Sequence, residues 1–300
     1  MLRTIKNHLD LSITFLISTI VFIFLKINQF QTNNGVGAEF VDWYETTLWH
    51  SINGKFLITN HPFHFFSEHF SPIIILFIPL YYIFQSPYLL LVLQGLFCAA
   101  AIIPLYFLTR EYFELKYMPL LICLAYIFSR IVNLGLMYEF HHEIMYPFFI
   151  FLLFLLFRKK RWIAFYTFLV LTLCIKEDVA VALLGLGLFM IFSGEKKNGA
   201  AVCLISIVWI AVTMYLVIPY FRSSFSMTDY KFIGYWNQYG TTKSEIILNM
   251  LNPLKNFNIL FTHDKLANSF NLFSVFLFLP FASLTGFLFL TFPSWYILYS

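Results

Sequence analysis

Residues 143–193 read EIMYPFFIFLLFLLFRKKRWIAFYTFLVLTLCIKEDVAVALLGLGLFMIFS. Three apolar runs, Glu143–Phe157, Trp162–Lys176 and Asp178–Ser193, are parted only by the basic block Arg158-Lys159-Lys160-Arg161 and the triplet Lys176-Glu177-Asp178. The hydrocarbon layer of a bilayer takes about 20 apolar residues per helical crossing, with a range of about 17–25. The stretch therefore predicts consecutive membrane crossings joined by tight turns. Outward from it, Leu11–Ile27, Tyr88–Thr109, Pro119–Leu136, Ala200–Phe221 and Asn271–Leu290 have the same character, which brings the candidate spans to eight. Over the 300 residues 60% are hydrophobic, 21% aromatic and 11% charged, where soluble domains carry charge at about a quarter of positions. The sequence predicts an all-α integral membrane protein, a single polytopic domain over residues 1–300, and excludes soluble folds and disorder. A net charge of +4, scattered along the chain, excludes nucleic acid as a partner. Cys98, Cys123, Cys174 and Cys203 each sit inside an apolar run and form no disulfide or CxxC pattern.

Charge sets the orientation, because short cytoplasmic loops collect Lys and Arg. The run Pro72–Phe84 has 13 residues, roughly 20 Å as a helix. If it stays on the outer side without crossing, Arg3, Lys6, Arg110, Lys116, Arg158–Arg161, Lys196 and Lys197 all become cytoplasmic. If it spans, the four-residue basic block moves outside. The expected topology has a cytoplasmic N-terminus preceding an uncleaved signal anchor. A first outer loop over 28–70, a non-spanning amphipathic or re-entrant helix over 71–85 and a last outer loop over 222–270 complete it. Within the last loop, Ile246, Ile247, Met250, Leu251 and Leu254 suit an amphipathic helix lying on the membrane. Seven of the eight histidines and over half of the acidic residues then share the outer face, which is where a site is expected.

Four segments supply its candidate residues. In the first outer loop, Glu39, Asp42 and Glu45 share a stripe if the segment is α-helical. Such carboxylates raise one another's pKa when partly buried and suit a general base or a metal ligand. An interfacial helix anchored by Trp43, Tyr44 and Trp49 reads equally from the same pattern. His61, His64 and His69 follow as H-x2-H-x4-H without a strict zinc spacing, and His69 stands closest to the helix that begins at Ser71-Pro72. The turn Glu139-Phe140-His141-His142-Glu143 offers two imidazoles and two carboxylates for proton transfer or phosphate binding. Its His-Glu pair lacks the second His of a zinc protease, because position 146 is Tyr146. Lys176, Glu177 and Asp178 interrupt apolar sequence, and Arg130 lies within a span, so each needs a cavity, a partner or the interface. A divalent metal is compatible with these groups, and no pattern demands one.

In this order, Leu48-Trp49, Gly54-Lys55-Phe56, Glu68-His69-Phe70-Ser71-Pro72-Ile73, Pro79-Leu80-Tyr81, Leu93-Gln94 and Pro104-Leu105-Tyr106 lead on to Glu139-Phe140-His141-His142-Glu143 and Lys176-Glu177-Asp178. The series resembles the prokaryotic membrane family labelled domain of unknown function two-zero-seven-nine, over about Gly35 to Phe221. That family is in turn distantly similar to the GT-C superfamily of membrane glycosyltransferases, including the protein mannosyltransferase and aminoarabinose transferase families. Two departures stand out. Family members usually carry an Asp about nine residues before the loop Trp, where this chain has Phe40 between Glu39 and Asp42. The family also commonly extends well past this length, so a C-terminal part is expected to be lacking.

The resemblance implies an inverting glycosyltransferase of the plasma membrane that moves a sugar from a polyprenyl-phosphate donor to an acceptor on the extracytoplasmic face. In that reading Glu39, Asp42 or Glu45 is the base. Arg130, Lys176 and His69 or His141 steady the leaving lipid phosphate, with His142, Glu143, Glu177 and Asp178 beside them. No nucleotide-binding motif is present, as a lipid-linked donor requires. The alternatives are a transporter or flippase, against which stands the lack of a sequence repeat, and a non-catalytic membrane protein. The transferase reading expects Glu39, Asp42, His69, His141 and Glu177 to converge on one cavity beside a lipid-facing groove.

Overall fold

The computed structural model describes residues 8–32, 40–61, 63–225, 236–250, 252, 254 and 262–274. All regular structure among them is helical, the nearest to a strand being a single bridge between Ile58 and His64. The chain divides into two compact units, Met1–Lys176 and Glu177–Ser300.

In the first unit, α1 is Leu9–Gln31, followed by a π-helical turn Phe40–Glu45 that runs into α2, Thr46–Ile52. Next come α3, Pro72–Ile83, whose first half is a 3-10 helix, and α4, Tyr88–Arg110. The bent pair α5, Met118–Ile127, and α6, Arg130–Met137, precedes the hairpin of α7, Tyr146–Arg158, and α8, Trp162–Leu173. Helix α1 packs on α4 so closely that a Cβ on Gly95 would stand 3.0 Å from the backbone nitrogen of Ile23. Glycine there lets the two backbones approach, as small residues do between membrane helices.

Pro119–Leu136, read as one span, is broken: α5 and α6 meet at 44°. Ser129 takes an extended conformation, which ends the hydrogen-bond ladder of α5. Asn133 then donates its amide to the carbonyls of Ile127 (2.7 Å) and Ser129 (2.9 Å). In an apolar solvent those acceptors have no water to turn to, so a side-chain amide makes the bend tolerable. The break also moves Arg130 to the first turn of α6, where its side chain is exposed.

The basic block closes the α7–α8 hairpin. Lys160 N–H bonds Phe157 C=O and Arg161 N–H bonds Leu156 C=O, both at 3.0 Å, the pattern of a helix end whose following residue is left-handed. Lys160 supplies that residue at φ +52°, and Gly194 does the same for α9 at φ +95°.

The second unit starts with α9, Val179–Phe192, and α10, Lys196–Ser223. They touch backbone to backbone: a Cβ on Gly187 would fall 2.6 Å from Cys203 Sγ, and one on Gly199 2.6 Å from Gly187 C=O. A π-helical turn, Thr213–Val217, loosens α10 just ahead of Pro219, which has no N–H to donate. Then come α11, Lys243–Met250, and α12, His263–Ser274. Thr242 and Glu245 cap α11 reciprocally, the Glu245 carboxylate accepting from Thr242 N–H and the Thr242 hydroxyl from Glu245 N–H, each at 3.2 Å. The expected amphipathic helix of the last loop is thus helical at least to Met250, with Ile246 buried. Its Leu251 lies outside the described residues.

Among the described residues α1, α4 and α10 are long and apolar enough to cross a membrane, and the bent pair makes a fourth candidate. The runs starting at Glu143, Trp162 and Asp178 give helices of 13, 12 and 14 residues, shorter than a bilayer needs when upright. Helix α3, Pro72–Ile83, belongs with these shorter apolar helices. The run Asn271–Leu290 lies outside the described residues beyond Ser274.

Candidate functional site

The turn between α6 and α7 is the hub of the first unit. It holds Glu139, Phe140, His141, His142 and Glu143, and it leaves the carbonyls at the end of α6 with no partner in their own helix. Three side chains from other helices take them. Lys26 of α1 reaches the carbonyl of Tyr138 at 2.6 Å while also bonding Gln29 at 2.9 Å, and Gln29 donates to Met137 C=O. From α4, Gln94 points its amide at the carbonyls of Gly135, Leu136, Tyr138 and Glu139, 3.3–3.5 Å away. Lys26 and Gln94 are almost wholly buried, and Lys26 also feels the charge of Glu139.

On this fastened turn stands a chain of ionisable groups. His142 is 1% exposed and neither ring nitrogen has a hydrogen-bond partner among the described residues. Its Nε2 lies 3.8 Å from Glu143 Oε2, and Glu143 Oε1 accepts from Lys176 Nζ at 2.6 Å. Burial holds the His142 imidazole down at about 4. The nearby Glu143 carboxylate opposes this shift, while Lys176, His69 and His141 add to it. For Glu143 burial pushes upward, yet the neighbouring His142 and the bonded Lys176 outweigh it and hold the carboxyl well below its ordinary range. An ionised Glu143 thus stands beside a neutral imidazole at neutral pH.

The first loop packs onto the turn through Tyr44. Its ring meets Phe140, His141 and His142 edge-on at centroid distances of 5.1, 5.9 and 5.6 Å, with Phe65 behind it at 5.8 Å. Two other loop histidines serve the backbone. His50 Nδ1–H donates to Ile58 C=O at 2.8 Å, and His64 Nδ1 accepts from Phe66 N–H at 3.1 Å. Burial lowers His64 to about 4, as an acceptor nitrogen requires. The start of α3 is tied to the end of α8 by Ile73 N–H on Cys174 C=O, 2.8 Å, which sets His69-Phe70-Ser71 near Lys176.

The wide winding of Phe40–Glu45 sends the two described carboxylates apart. Asp42 is half-buried and accepts from Asn60 at 3.4 Å. Glu45 accepts from the hydroxyl of Tyr81, a fully buried residue of α3. Burial first, and then the Glu45 carboxylate, raise the Tyr81 phenol and keep it a donor. Glu39 lies outside the described residues.

Beside the turn opens a cavity of about 520 Å³ between α5, α6 and the start of α7. Ile131, Val132, Leu134 and Ile144 make its walls apolar, and Tyr138, His141 and Glu143 give it a polar end. His141, Glu143 and Lys176 are thereby joined at one place, with His69 electrostatically coupled to them through His142. Arg130 is exposed at the start of α6. Glu177, buried, and Asp178, half-buried, belong to the second unit just ahead of α9. No three metal-ligating side chains are gathered to hold an ion among the described residues. The pattern reading passed over Lys26, took Tyr44 only as an interfacial anchor and Tyr81 only as part of Pro79-Leu80-Tyr81. Lys26 had a signal, being a lone charge at the end of an apolar run, whereas nothing in the sequence tied either tyrosine to the hub turn or to Glu45.

Searches of curated proteins and of solved structures returned no match. The model of the family described as "Predicted membrane protein (DUF2079)" matches residues 42–299, which take in α2 to α12, the hub turn and both described carboxylates of the first loop. The chain belongs to that family of membrane proteins.

Proposed function

We propose that the protein is a GT-C-like glycosyltransferase of the plasma membrane that uses a polyprenyl-phosphate-linked sugar on the extracytoplasmic face. The observation that carries this reading is the apolar cavity ending on His141, Glu143 and, through Glu143, Lys176. An isoprenoid chain suits apolar walls, and a phosphate suits a polar end where an ammonium is held in place. Glu45, fixed by Tyr81, takes the proton of the acceptor hydroxyl, with Asp42 as the second candidate base. The acceptor oxygen attacks the anomeric carbon, the carbon–oxygen bond to phosphate breaks, and polyprenyl phosphate leaves with the electron pair while Lys176 offsets its charge.

The proposal keeps about eight crossings, with α7, α8 and α9 as short spans and the Arg158–Arg161 turn cytoplasmic. It is supported by the distribution of basic residues, which falls on one face only if α3 stays on the outer side. The test compares extracytoplasmic glycans of cells carrying the wild type, Asp42→Ala or Glu45→Ala. Loss of a sugar in one variant is expected; unchanged glycans in both would overturn the reading. A flippase would instead move the lipid-linked sugar between leaflets without consuming it.

A further inference from the structure

At the end of α1 opposite Lys26 the first unit has a second cavity, of about 760 Å³. It is formed by the first turn of α1, the last turns of α4, the segment 111–117 and the start of α5. Its charged lining is balanced: Arg110 and Lys116 against Asp10 and Glu114. The Asp10 carboxylate is oriented by the Tyr106 hydroxyl at 2.9 Å. Arg110 Nη1 lies 3.1 and 3.3 Å from the two ring nitrogens of His8, of which the one without a hydrogen accepts, so the near partner of Arg110 is an imidazole and not a carboxylate. The His8 ring is itself braced edge-on by Tyr106 and Phe107, with centroids 5.7 and 5.2 Å away.

A lining of two cations and two carboxylates disfavours a simple anion, which would meet Asp10 and Glu114, and a simple cation, which would meet Arg110 and Lys116. It suits a ligand carrying both signs. The volume falls within the 300–1,000 Å³ or so typical of small-molecule sites, well beyond a lone ion. Phe113, Leu115 and Tyr117 line the same cavity and are exposed, next to Lys116. Aromatic and basic side chains interleaved at the end of a membrane-length helix mark the headgroup level of a bilayer.

We propose that this cavity binds a phosphoethanolamine group, the headgroup of an aminophospholipid, with its phosphate on Arg110 and Lys116 and its ammonium on Asp10 and Glu114. The site is independent of the proposed transferase chemistry: Asp10 and Lys26, which mark the two on α1, stand about 24 Å apart along a straight helix. The ammonium must donate hydrogen bonds, so a trimethylated headgroup binds worse, and a headgroup with no cation leaves the carboxylates unmatched.

The experiment places the full chain in nanodiscs of equal phosphatidylethanolamine, phosphatidylcholine and phosphatidylglycerol and measures the lipids retained on extraction by native mass spectrometry. Wild type is expected to enrich phosphatidylethanolamine about fivefold over the other two, roughly 1 kcal/mol. Arg110→Ala and Glu114→Gln, both at exposed positions, are expected to lose the enrichment, Arg110→Lys to keep part of it, and Lys196→Ala in the second unit to keep all of it. Equal retention of the three lipids, preference for phosphatidylglycerol, or enrichment unchanged in both loss variants would overturn the proposal. Added glycerophosphoethanolamine reads the source: displacement assigns the headgroup alone as sufficient, and persistence assigns the membrane lipid.

Discussion

At the residue scale, the groups that matter most are those whose surroundings decide their charge. His142 is held at about 4 against an ordinary 6.5 because it is buried. The folded protein therefore binds a proton there less readily than the unfolded chain. Its contribution to stability is present above about pH 6.5 and is lost as pH falls toward 4. Thermal unfolding in detergent from pH 7 to 4 should show this decline, and His142→Phe should flatten it. Removing Lys176 leaves Glu143 partly buried with its charge uncompensated, so Lys176→Met is expected to destabilise by about 2 kcal/mol. Chemical denaturation of wild type, Lys176→Met and the Lys176→Met/Glu143→Gln pair checks it, the double variant recovering part of the loss. Tyr81→Phe is expected to cost about 1–2 kcal/mol by the same measurement, because it strips the Glu45 carboxylate of a donor. The H-x2-H-x4-H spacing showed that these imidazoles lie close in sequence. It could not show that His64 accepts from the backbone while His69 acts on His142, since that depends on which rings the fold buries.

At the element scale, the apolar runs located the helices well and their breaks poorly. Tyr88–Thr109 became α4 almost residue for residue and Leu11–Ile27 became α1 with six further residues, Leu9–Gln31, because an unbroken apolar run has no better way to satisfy its backbone in lipid. Pro119–Leu136 split because Asn133 can take the carbonyls at Ile127 and Ser129, a contact invisible to hydropathy. Asn133→Leu removes that donor and is expected to cost about 1–2 kcal/mol and to change the α5–α6 angle. Thermal stability and a spin-label distance across the bend would report both effects. The turn glycine and the contact glycine of the second unit separate by mechanism. Gly194 has nothing within 4 Å, so Gly194→Val is expected to cost only the left-handed backbone, about 1–2 kcal/mol. Gly187→Val drives a side chain into Cys203 and the backbone of Gly199 and should part α9 from α10, read as loss of a disulfide engineered between them.

At the scale of the whole molecule, the few charges carried more information than the many apolar residues. The basic block at Arg158–Arg161 marked the α7–α8 turn, and the acidic and imidazole groups of the hub turn mark the other end of the same unit. Lys26, Gln29 and Gln94, scattered over two helices, converge there on one set of carbonyls. That convergence was illegible in sequence, because each of the three reads singly as a polar residue in or beside an apolar run. The proposed transferase cleaves a lipid-linked sugar at the apolar cavity and its polar end, with a first-loop carboxylate as base. The most direct test of that step is a proteoliposome assay in which lipid-linked sugars extracted from the host membrane are incubated with wild type, Asp42→Asn, Glu45→Gln or Lys176→Met, and release of polyprenyl phosphate is followed. The account predicts release by wild type, slowed at least about 100-fold in Glu45→Gln or Asp42→Asn and in Lys176→Met. Equal release by all four, or movement of an intact sugar lipid across the bilayer with no polyprenyl phosphate formed, would contradict it.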